Sequence, residues 1–259
     1  MTQEQKVTDL LKAIETGAAD PVAYINADNY TQHNLGAEDG LAGFGKLLAG
    51  LADYHEKPSV STVRVFSDGN YVVAHTDYNF FGPKVGFDIF RFDNGKIVEH
   101  WDNLMPKPEK NNPSGHTCFD GATVITDTDK TEVNKVLVRN FVNDVLMGKN
   151  LSKTADYFDN GKYIQHNPAI ADGLDGLGAA LEAMAKQGIQ MIYTTNHIVL
   201  GQGNFVLSVS EGTFGGVHTS YYDLFRVENG KIAEHWDVME SILPENEWKN
   251  HNGKFNFTK

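Results

Sequence analysis

The sequence predicts an α+β fold that is built twice along one chain. A long motif reads FDIFRFDNGKIVEHWD at 87–102 and recurs as YDLFRVENGKIAEHWD at 222–237. A second block, YTQHNLGAEDGLAGFG at 30–45, matches YIQHNPAIADGLDGLG at 163–178. Two blocks repeated in the same order indicate a tandem duplication. In each half, helical patterns precede a series of strand-like segments, which is typical of an α+β domain.

Composition limits the class of protein. The 41% of hydrophobic residues among 259 lets each half bury a core of its own. The net charge of −12 argues against nucleic-acid and anionic-membrane partners, because like charges repel. The single cysteine, Cys118, excludes an intrachain disulfide and fits a reducing compartment. Because neither a secretory signal nor an apolar run approaching ~20 residues is visible, we expect a cytoplasmic protein.

The repeats divide the chain into four segments. We predict a first domain at 1–106 and a second domain at 128–244. The stretch 107–127 contains proline, asparagine and glycine without periodicity, which indicates a linker. The polar stretch 245–259 forms a C-terminal tail.

Each half begins with a predicted helix. In the first half the apolar residues that share one helical face are Val7, Leu10, Leu11 and Ile14. Thr2 and Gln5 form a candidate capping box. In the second half the same pattern is carried by Val133, Val136, Leu137 and Phe141. Asp129 and Glu132 offer the corresponding cap.

A second helix and several strands follow in each half. Glycine-rich helices are predicted at 41–51 and 174–186. Segments rich in β-branched and aromatic residues predict strands at 60–66, 71–78, 193–200 and 205–211. Each half then ends in a hairpin formed by the repeated motif.

The register of this hairpin assigns each side chain to one face of the sheet. Asn94-Gly95 and Asn229-Gly230 are type I′ turn signals, because both central positions need a positive φ. A two-residue loop predicts the pairs Asp93–Lys96, Phe92–Ile97, Phe90–Glu99 and Asp88–Trp101. Alternation then places Asp88, Phe90, Glu99 and Trp101 on one face, with Asp223, Phe225, Glu234 and Trp236 as their counterparts. The other face carries Arg91, His100 and Asp102, with Arg226, His235 and Asp237 as counterparts.

The predicted face with Asp88 indicates an acid–base site. A carboxyl group beside an indole and phenylalanines should have a raised pKa, which suits proton transfer. The alternative is that Asp88 only bonds a neighbouring backbone group. Aspartate recurs in both halves although strands disfavour it, and this favours the functional interpretation. His100 and His235, with Asp102 and Asp237, are expected at an interface or a solvated surface, and a catalytic role for the two histidines is the alternative.

The Tyr-x-Gln-His-Asn block supplies further candidates. His33-Asn34 and His166-Asn167 precede turns. A neutral histidine transfers protons near neutral pH, and an asparagine donates to a carbonyl or enolate oxygen. The alternative is an Asx turn with a surface histidine. Because the block is repeated, we favour residues that line a pocket.

These blocks together resemble the SnoaL-like polyketide cyclase group of the nuclear transport factor 2-like superfamily. The resemblance covers about 1–106 and 128–244. It implies two cystatin-like cones, each a curved antiparallel sheet wrapped by N-terminal helices around an apolar pocket. Relatives include aldol cyclases, ketosteroid isomerase, scytalone dehydratase and limonene epoxide hydrolase. None of those reactions needs a metal or an organic cofactor, so we expect neither here.

The resemblance also implies site residues. Asp88 and Asp223 match the pocket carboxyl residue of the cyclases and isomerases. Asn34 and Asn167 fall where the isomerases keep a carboxylate base, which favours the cyclase type. His75 lies near a cyclase pocket histidine.

The second half has a stretch ending in Glu211 where the first half has His75. The two pockets are therefore not expected to do identical work. The sequence shows no metal-binding spacing, although His33, His75 and His100 could still meet in space.

The sequence thus predicts an acid–base enzyme of the aldol cyclase or isomerase type that acts on a small apolar carbonyl compound. The alternative is a non-catalytic protein that binds a small ligand, and the sequence does not decide between them. The predicted catalytic residues are Asp88, Asp223, His33, His166 and His75. The predicted substrate-binding residues are Asn34, Asn167, Tyr30, Tyr163, Phe90, Phe225, Trp101, Trp236 and Glu211.

The predicted partner is a small apolar molecule, without nucleic acid or membrane. The two domains are expected to form an intrachain pseudo-dimer, and further oligomerisation stays open. The residues expected near the joint are His100, Asp102, His235 and Asp237.

Overall fold

A computed structural model describes residues 1–52 and 54–257 and divides the chain into two compact units. Unit 1 contains Met1–Pro106 together with the described residues from Ile242 onward, and unit 2 contains Lys107–Ser241. Within the described residues each unit has a five-stranded mixed sheet with helices, which confirms the α+β prediction. The predicted linker thus packs in unit 2, and the predicted tail packs in unit 1.

Unit 1 begins with a helix and ends its first stretch in the long hairpin. Its elements are α1 (Gln3–Thr16), β1 (Thr31–Gln32), α2 (Gly40–Ala52), β2 (Ser59–Asp68), β3 (Tyr71–Asn79), β4 (Pro83–Asp93) and β5 (Lys96–Pro106). The sheet order is β1-β5-β4-β3-β2, with β1 parallel to β5 and the other neighbours antiparallel. A 3-10 turn, Asp20–Tyr24, precedes β1.

Unit 2 repeats this order. Its elements are α3 (Thr131–Phe141), β6 (Ile164–Gln165), α4 (Gly173–Lys186), β7 (Met191–Gln202), β8 (Phe205–Phe214), β9 (Val217–Glu228) and β10 (Lys231–Ser241). The sheet order is β6-β10-β9-β8-β7, and β6 is parallel to β10. A π-helical turn, Val142–Leu146, continues α3. In the described part of the chain, no helix has the length and apolar composition needed to cross a membrane.

The helix predictions hold for α1 and fail in part for α3. Thr2 and Gln5 form the predicted capping box, and the predicted apolar face of α1 is buried. In α3, by contrast, Val133 and Val136 are exposed. The buried positions are Asn134, Val138 and Phe141. The side chain of Asn134 donates to the Gly203 carbonyl at 2.8 Å, and this bond lets a polar residue occupy the buried face.

The predicted cap of α3 is also wrong. Asp129 lies in the 3-10 turn Thr128–Lys130, and α3 begins at Thr131 without a side-chain cap. The turn takes up the residues that the pattern had assigned to the helix start.

One face of each sheet carries the helix-packed core, and we call it the inner face. In unit 1 the side chains of α1 pack with Val72, Ala74, Phe90 and Phe92. In unit 2 the side chains of α3 pack with Val206, Phe225, Val227 and Ile232. The opposite face of each sheet is called the outer face.

A β-bulge makes the predicted hairpin register wrong beyond the first two pairs. Asn94 and Gly95 have φ of 48° and 76°, so the type I′ turn is confirmed. The pairs Asp93–Lys96 and Phe92–Ile97 are also confirmed. The next pair is Arg91–Glu99, so Val98 is an extra residue in β5. Beyond it Phe90 pairs with His100, Ile89 with Trp101, and Asp88 with Asp102.

The bulge exchanges the two predicted faces of β5. Because successive side chains alternate, one extra residue moves every later side chain to the other face. His100 and Asp102 join Asp88 on the inner face, and Trp101 and Glu99 move to the outer face. In unit 2 the shift falls between Ile232 and Glu234. There it brings His235 and Asp237 to the face of Asp223 and moves Trp236 away.

Candidate functional site

Unit 1 encloses a cavity of about 520 Å³ against the inner face of its sheet. The cavity walls come from α1, α2 and residues of the four strands β1, β3, β4 and β5. Its polar lining consists mainly of Tyr30, Gln32, Asn34, Tyr78, Asp88, His100 and Asp102. The apolar lining includes Leu10, Ile14, Phe44, Phe80, Phe90 and Leu104. A group of polar side chains thus converges at one side of a largely apolar cavity, as in small-molecule sites.

Asp88 and His100 form a buried acid–base pair in this cavity. His100 Nε2 lies 3.1 Å from Asp88 Oδ1. The Tyr78 hydroxyl donates to Asp88 Oδ2 at 2.6 Å. His100 Nδ1 lies 3.1 Å from Gln32 Oε1. The β5 bulge creates the pair, because it places His100 on the same face as Asp88.

The Gln32 amide fixes the tautomer of His100. Gln32 Oε1 also accepts the backbone N–H of Asn34 at 2.9 Å, so an oxygen must occupy that position. His100 Nδ1 is therefore a donor and carries a proton. The contact between Nε2 and Asp88 then holds one proton, on the carboxyl or on the ring. The pair interconverts between a neutral and an ionic form by moving that proton.

A second carboxyl group lies beside this pair. The Asn34 side chain donates to Asp102 Oδ2 at 2.8 Å. The ammonium group of Lys254 lies 3.8 Å from Asp102 Oδ1 and donates to the Asp102 carbonyl at 2.6 Å. Lys254 belongs to the C-terminal segment, so this segment supplies a charge at the edge of the unit 1 site.

Unit 2 repeats the arrangement around a smaller cavity of about 240 Å³. His235 Nε2 lies 3.1 Å from Asp223 Oδ1, and His235 Nδ1 lies 3.0 Å from Gln165 Oε1. Gln165 Oε1 accepts the Asn167 backbone N–H at 2.9 Å, so the tautomer is fixed as in unit 1. The Asn167 side chain donates to Asp237 at 2.7 Å.

The second site differs in the tyrosine that bonds the aspartate. Tyr78 comes from β3, whereas Tyr193, which donates to Asp223 Oδ1 at 3.3 Å, comes from β7. Asp223 Oδ2 is buried and has no hydrogen-bond partner among the described residues. The same is true of Asp237 Oδ1. The second cavity therefore presents two carboxyl oxygens that no described group satisfies.

Burial and neighbouring charges together shift the pKa values of these groups. Burial raises the pKa of Asp88, and the bonds from His100 and Tyr78 only partly oppose it. Burial also raises the pKa of Asp237, with the His235 charge opposing. For His235 burial lowers the pKa, but the hydrogen bond and charge of Asp223 and the charge of Asp237 outweigh it, so the pKa is raised. These shifts favour the protonated carboxyl at Asp88 in unit 1 and at Asp237 in unit 2, and the charged imidazole at His235.

Eight of the predicted site residues line the two cavities. In unit 1 these are Tyr30, Asn34, Asp88 and Phe90. In unit 2 they are Tyr163, Asn167, Asp223 and Phe225. His100, Asp102, His235 and Asp237, which were expected near a joint between the domains, instead line the cavity of their own unit.

The predicted pocket histidines of the repeated block lie outside the cavities. His33 stacks on Trp101 with a centroid separation of 4.3 Å, and its Nδ1 lies 2.8 Å from the Gly253 carbonyl oxygen. His166 stacks on Trp236 at 4.7 Å. Both tryptophans were predicted to wall the pockets. They lie on the outer faces instead, because the bulges turn them there.

His75 and Glu211 also lie on the outer faces. His75 pairs with Phe87 across the sheet and accepts from Arg64 at 3.2 Å. Glu211 bonds His197 and His218, each at 2.8 Å. His100 is on the inner face, so the sheet separates it from His33 and His75, and the three histidines do not meet.

Sequence reasoning missed part of each site. Gln32 and Gln165 had a signal, because both stand in the repeated Tyr-x-Gln-His-Asn block. His100 and His235 also stand in a repeated motif, but the regular register assigned them to the wrong face. Tyr78 and Tyr193 occupy different strands and had no shared signal.

Fold and site together define a protein with two cone-shaped α+β domains, each with a buried Asp–His pair that lines a cavity. The family model of the SnoaL-like domain matches residues 7–100 and 138–235. These matches cover more than half of the chain, and the chain belongs to this family, as the sequence motifs predicted. The nuclear transport factor 2-like cone fold is thereby confirmed for both domains.

Solved structures of similar fold match about one domain each. TsrD from Streptomyces laurentii is 20% identical, with 40% of this chain and 91% of that chain covered and a TM-score of 0.34. IdmH, a putative polyketide cyclase from Streptomyces antibioticus, is 13% identical, with 40% and 92% covered and a TM-score of 0.35. A putative ketosteroid isomerase from Kribbella flavida is 14% identical, with 44% and 83% covered and a TM-score of 0.36. No curated protein matches the chain.

Proposed function

We propose that each cavity binds a small, largely apolar carbonyl compound and performs cofactor-independent acid–base chemistry on it. The observation that carries the proposal is the buried Asp–His pair that shares one proton, Asp88–His100 in unit 1 and Asp223–His235 in unit 2. The pair is present in both units and is held by the same glutamine contact. A group that gives and takes a proton inside an apolar cavity is what proton transfer at carbon requires.

The first step is removal of a proton from the carbon beside the carbonyl. In its ionic form, Asp88 accepts that proton, and the electron pair moves to the carbonyl oxygen to form an enolate. His100 in its charged form stabilises the carboxylate before transfer. Return of the proton from Asp88 to a different carbon of a conjugated enolate completes an isomerisation. In an aldol closure the enolate carbon attacks a second carbonyl within the same substrate, and the alkoxide oxygen that forms takes the proton from Asp88.

Tyr30 and Tyr163 are the proposed donors to the enolate oxygen. The Tyr30 hydroxyl accepts from Gln32 Nε2 at 3.4 Å, and the Tyr163 hydroxyl accepts from Gln165 Nε2 at 3.3 Å. Each hydroxyl hydrogen is therefore directed to a different acceptor. Burial raises the pKa of Tyr163 to about 12 and the pKa of Tyr30 further, so both remain donors at neutral pH. A buried donor aimed at developing charge contributes strongly to catalysis.

The two cavities are proposed to accept different molecules. The unit 1 cavity is about 520 Å³ and has charged groups at its rim, including Glu38 and Lys46. The unit 2 cavity is about 240 Å³ and is walled by Ala180, Met184 and Met239. The smaller volume favours a smaller and more apolar ligand in unit 2.

The test is proton exchange at carbon. The purified chain is incubated in heavy water with a panel of small apolar ketones and diketones, and deuterium incorporation is followed by NMR. We expect exchange with at least one member and a loss of ~10²–10⁴-fold in the double variant Asp88→Asn with Asp223→Asn. The control is Asp93→Asn, which changes an exposed carboxylate on the same strand.

Unchanged exchange in the double variant would exclude the two aspartates as the acid–base groups. A ketone that binds without exchange, with the aspartate variants changing only its affinity, would instead support the non-catalytic binding protein. Cytoplasmic location, a small-molecule partner and the intrachain pseudo-dimer stay predictions.

A further inference from the structure

A second cluster of titratable side chains lies in unit 2, outside its cavity. His166 stacks on Trp236 at the outer face, and its side chain has no exposed surface. The segment 107–127 brings His116 and Asp120 to this place. The two imidazole centroids are 5.2 Å apart. The cluster is therefore assembled from the domain and from the segment that the sequence had marked as a linker.

Both imidazoles direct the same ring atom at one carboxylate. His166 Nδ1 lies 2.9 Å from Asp120 Oδ1, and His116 Nδ1 lies 3.5 Å from Asp120 Oδ2. The donor atoms of the three residues all lie within 4.8 Å of one another. Two ligand atoms at about 2.0–2.2 Å from one zinc ion lie about 3.3–3.6 Å apart in tetrahedral geometry, so the 3.5 Å contact fits directly and the others need a small side-chain movement.

The opposite ring atoms are held by two further carboxylates. His166 Nε2 lies 2.9 Å from Glu234 Oε1, and Glu234 is in turn bound by Arg226 at 2.6 Å. His116 Nε2 lies 3.2 Å from Asp172 Oδ2. Metal-binding histidines almost always give their second N–H to a carboxylate, a carbonyl or a water, which orients the ring. Both histidines of the cluster have that support.

In its neutral form His166 has one N–H, but both of its ring nitrogens face hydrogen-bond acceptors. Its Nε2 faces the Glu234 carboxylate, and its Nδ1 faces Asp120 and the carbonyl oxygen of Thr117 at 2.8 Å. All of these neighbours are acceptors. A neutral imidazole has a single N–H, so one ring nitrogen would direct a lone pair at an oxygen. A cation at Nδ1, either a proton or a metal ion, removes this conflict.

We propose that His116, Asp120 and His166 form a binding site for a divalent first-row metal ion of the zinc type. Two imidazole nitrogens and a carboxylate are the donor set that such ions accept, with a fourth position left for water. Asp120 is 45% exposed, so the ion reaches the site from solvent.

The site is specific to unit 2. Among the residues that the structure describes, no corresponding group of three ligands surrounds His33 in unit 1. The C-terminal segment brings a lysine, Lys254, to that region of unit 1 instead. The chain therefore contains its own internal comparison, since the same domain occurs with and without the cluster.

Metal titration of the full chain tests the proposal. Protein stripped with a chelator is titrated with Zn²⁺ against a chromophoric competitor and, separately, with Co²⁺ followed by visible absorption. We expect one equivalent of tight binding that His116→Gln abolishes. Asp172→Asn, which removes a carboxylate behind the ligand, should weaken binding by ~10–100-fold. Unfolding curves without metal verify that each variant is folded, and Asp120→Asn replaces His116→Gln if that variant is not.

The cavity clusters provide the control. Asp88, His100 and Asp102 also bring three possible ligand atoms together, as do Asp223, His235 and Asp237. The double variant His100→Gln with His235→Gln should therefore retain the tight equivalent. The proposal is overturned if the wild-type chain shows no binding of Zn²⁺ in the micromolar range. It is equally overturned if binding survives His116→Gln and disappears in the cavity variant.

Discussion

The glutamines beneath the two sites offer the sharpest test of how the acid–base pairs are held. Gln32→Leu keeps much of the side-chain volume and removes the acceptor. Two buried donors then lose their partner, the Asn34 backbone N–H and His100 Nδ1. Tyr30→Phe removes the hydroxyl that Gln32 Nε2 bonds at 3.4 Å and leaves the acceptor oxygen of Gln32 in place, so it serves as the matched control.

The structure sets the size of the effect. An unsatisfied buried donor costs about 1–3 kcal/mol, so Gln32→Leu should destabilise unit 1 by about 2–6 kcal/mol. Gln165 accepts three bonds in unit 2, since the His166 N–H also points at it at 2.9 Å. That N–H has a second acceptor, the His235 carbonyl oxygen at 2.9 Å. Gln165→Leu therefore also leaves two unsatisfied donors, and its cost should be similar.

Hydrogen exchange measured by mass spectrometry assigns the loss to one unit. Gln32→Leu should lower protection in peptides covering 30–37 and leave 163–170 unchanged, and Gln165→Leu should do the reverse. Urea unfolding curves give the accompanying shift in stability. If Tyr30→Phe lost as much stability as Gln32→Leu, the acceptor role of the amide oxygen would be wrong. A much larger loss for Gln165→Leu would contradict the count of unsatisfied donors.

Three further predictions concern the two tyrosines, the protonation of the unit 1 site and the segment 107–127. Tyr78→Phe removes a 2.6 Å hydrogen bond to a buried carboxyl, whereas Tyr193→Phe removes a 3.3 Å hydrogen bond. Tyr78→Phe should therefore lower the free energy of unfolding more than Tyr193→Phe. Denaturation midpoints of the two variants compare the losses. The second prediction concerns Asp88, whose pKa is raised in the folded state. Its contribution to the free energy of unfolding is fully present below the unfolded-state pKa of ~3.9 and is lost as the pH rises through the folded-state pKa. Asp88→Asn, which imitates the neutral carboxyl, should remove that loss from a pH series of unfolding curves. Gly121→Ala and Gly115→Ala both add a methyl group at a positive φ, +90° and +91°, so the backbone strain is the same in both variants. The added methyl group meets a neighbour only at position 121, where a carboxylate oxygen of Glu234 lies at 1.9 Å. Melting temperatures should therefore fall further for Gly121→Ala, and equal shifts would show that the segment is not held against the sheet there.

Much of the fold was readable from local patterns. The capping box at Thr2 and Gln5, the apolar face of α1 and the Asn-Gly turns are local features, and all are confirmed. The four strands predicted before the hairpins also lie within three residues of their observed bounds, whereas the short strands β1 and β6 were not predicted. Such features depend on neighbours three or four residues away, which the sequence displays directly.

The candidate site was harder to predict from the sequence, because one extra residue in β5 determines which side chains face the cavity. Val98 has no feature that marks it as a bulge, and regular pairing is the default expectation. With this bulge, His100 lies on the same face as Asp88. In regular pairing Trp101 would lie on that face instead. Trp101 was assigned to the cavity for the same reason. His33 was assigned to it because its block is repeated, and the structure places it on the outer face, stacked on Trp101.

By itself the sequence determined that the chain is a duplicated α+β protein of the SnoaL-like family, with an aspartate at the same place in each half. Repeats, turns and amphipathic periods are properties of the chain and can be recognised from the sequence alone. Only the tertiary structure decided which side chains share a cavity. That depends on a bulge in β5 and β10 and on where the segments 107–127 and 242–257 pack, and both are settled by contacts between residues far apart in sequence.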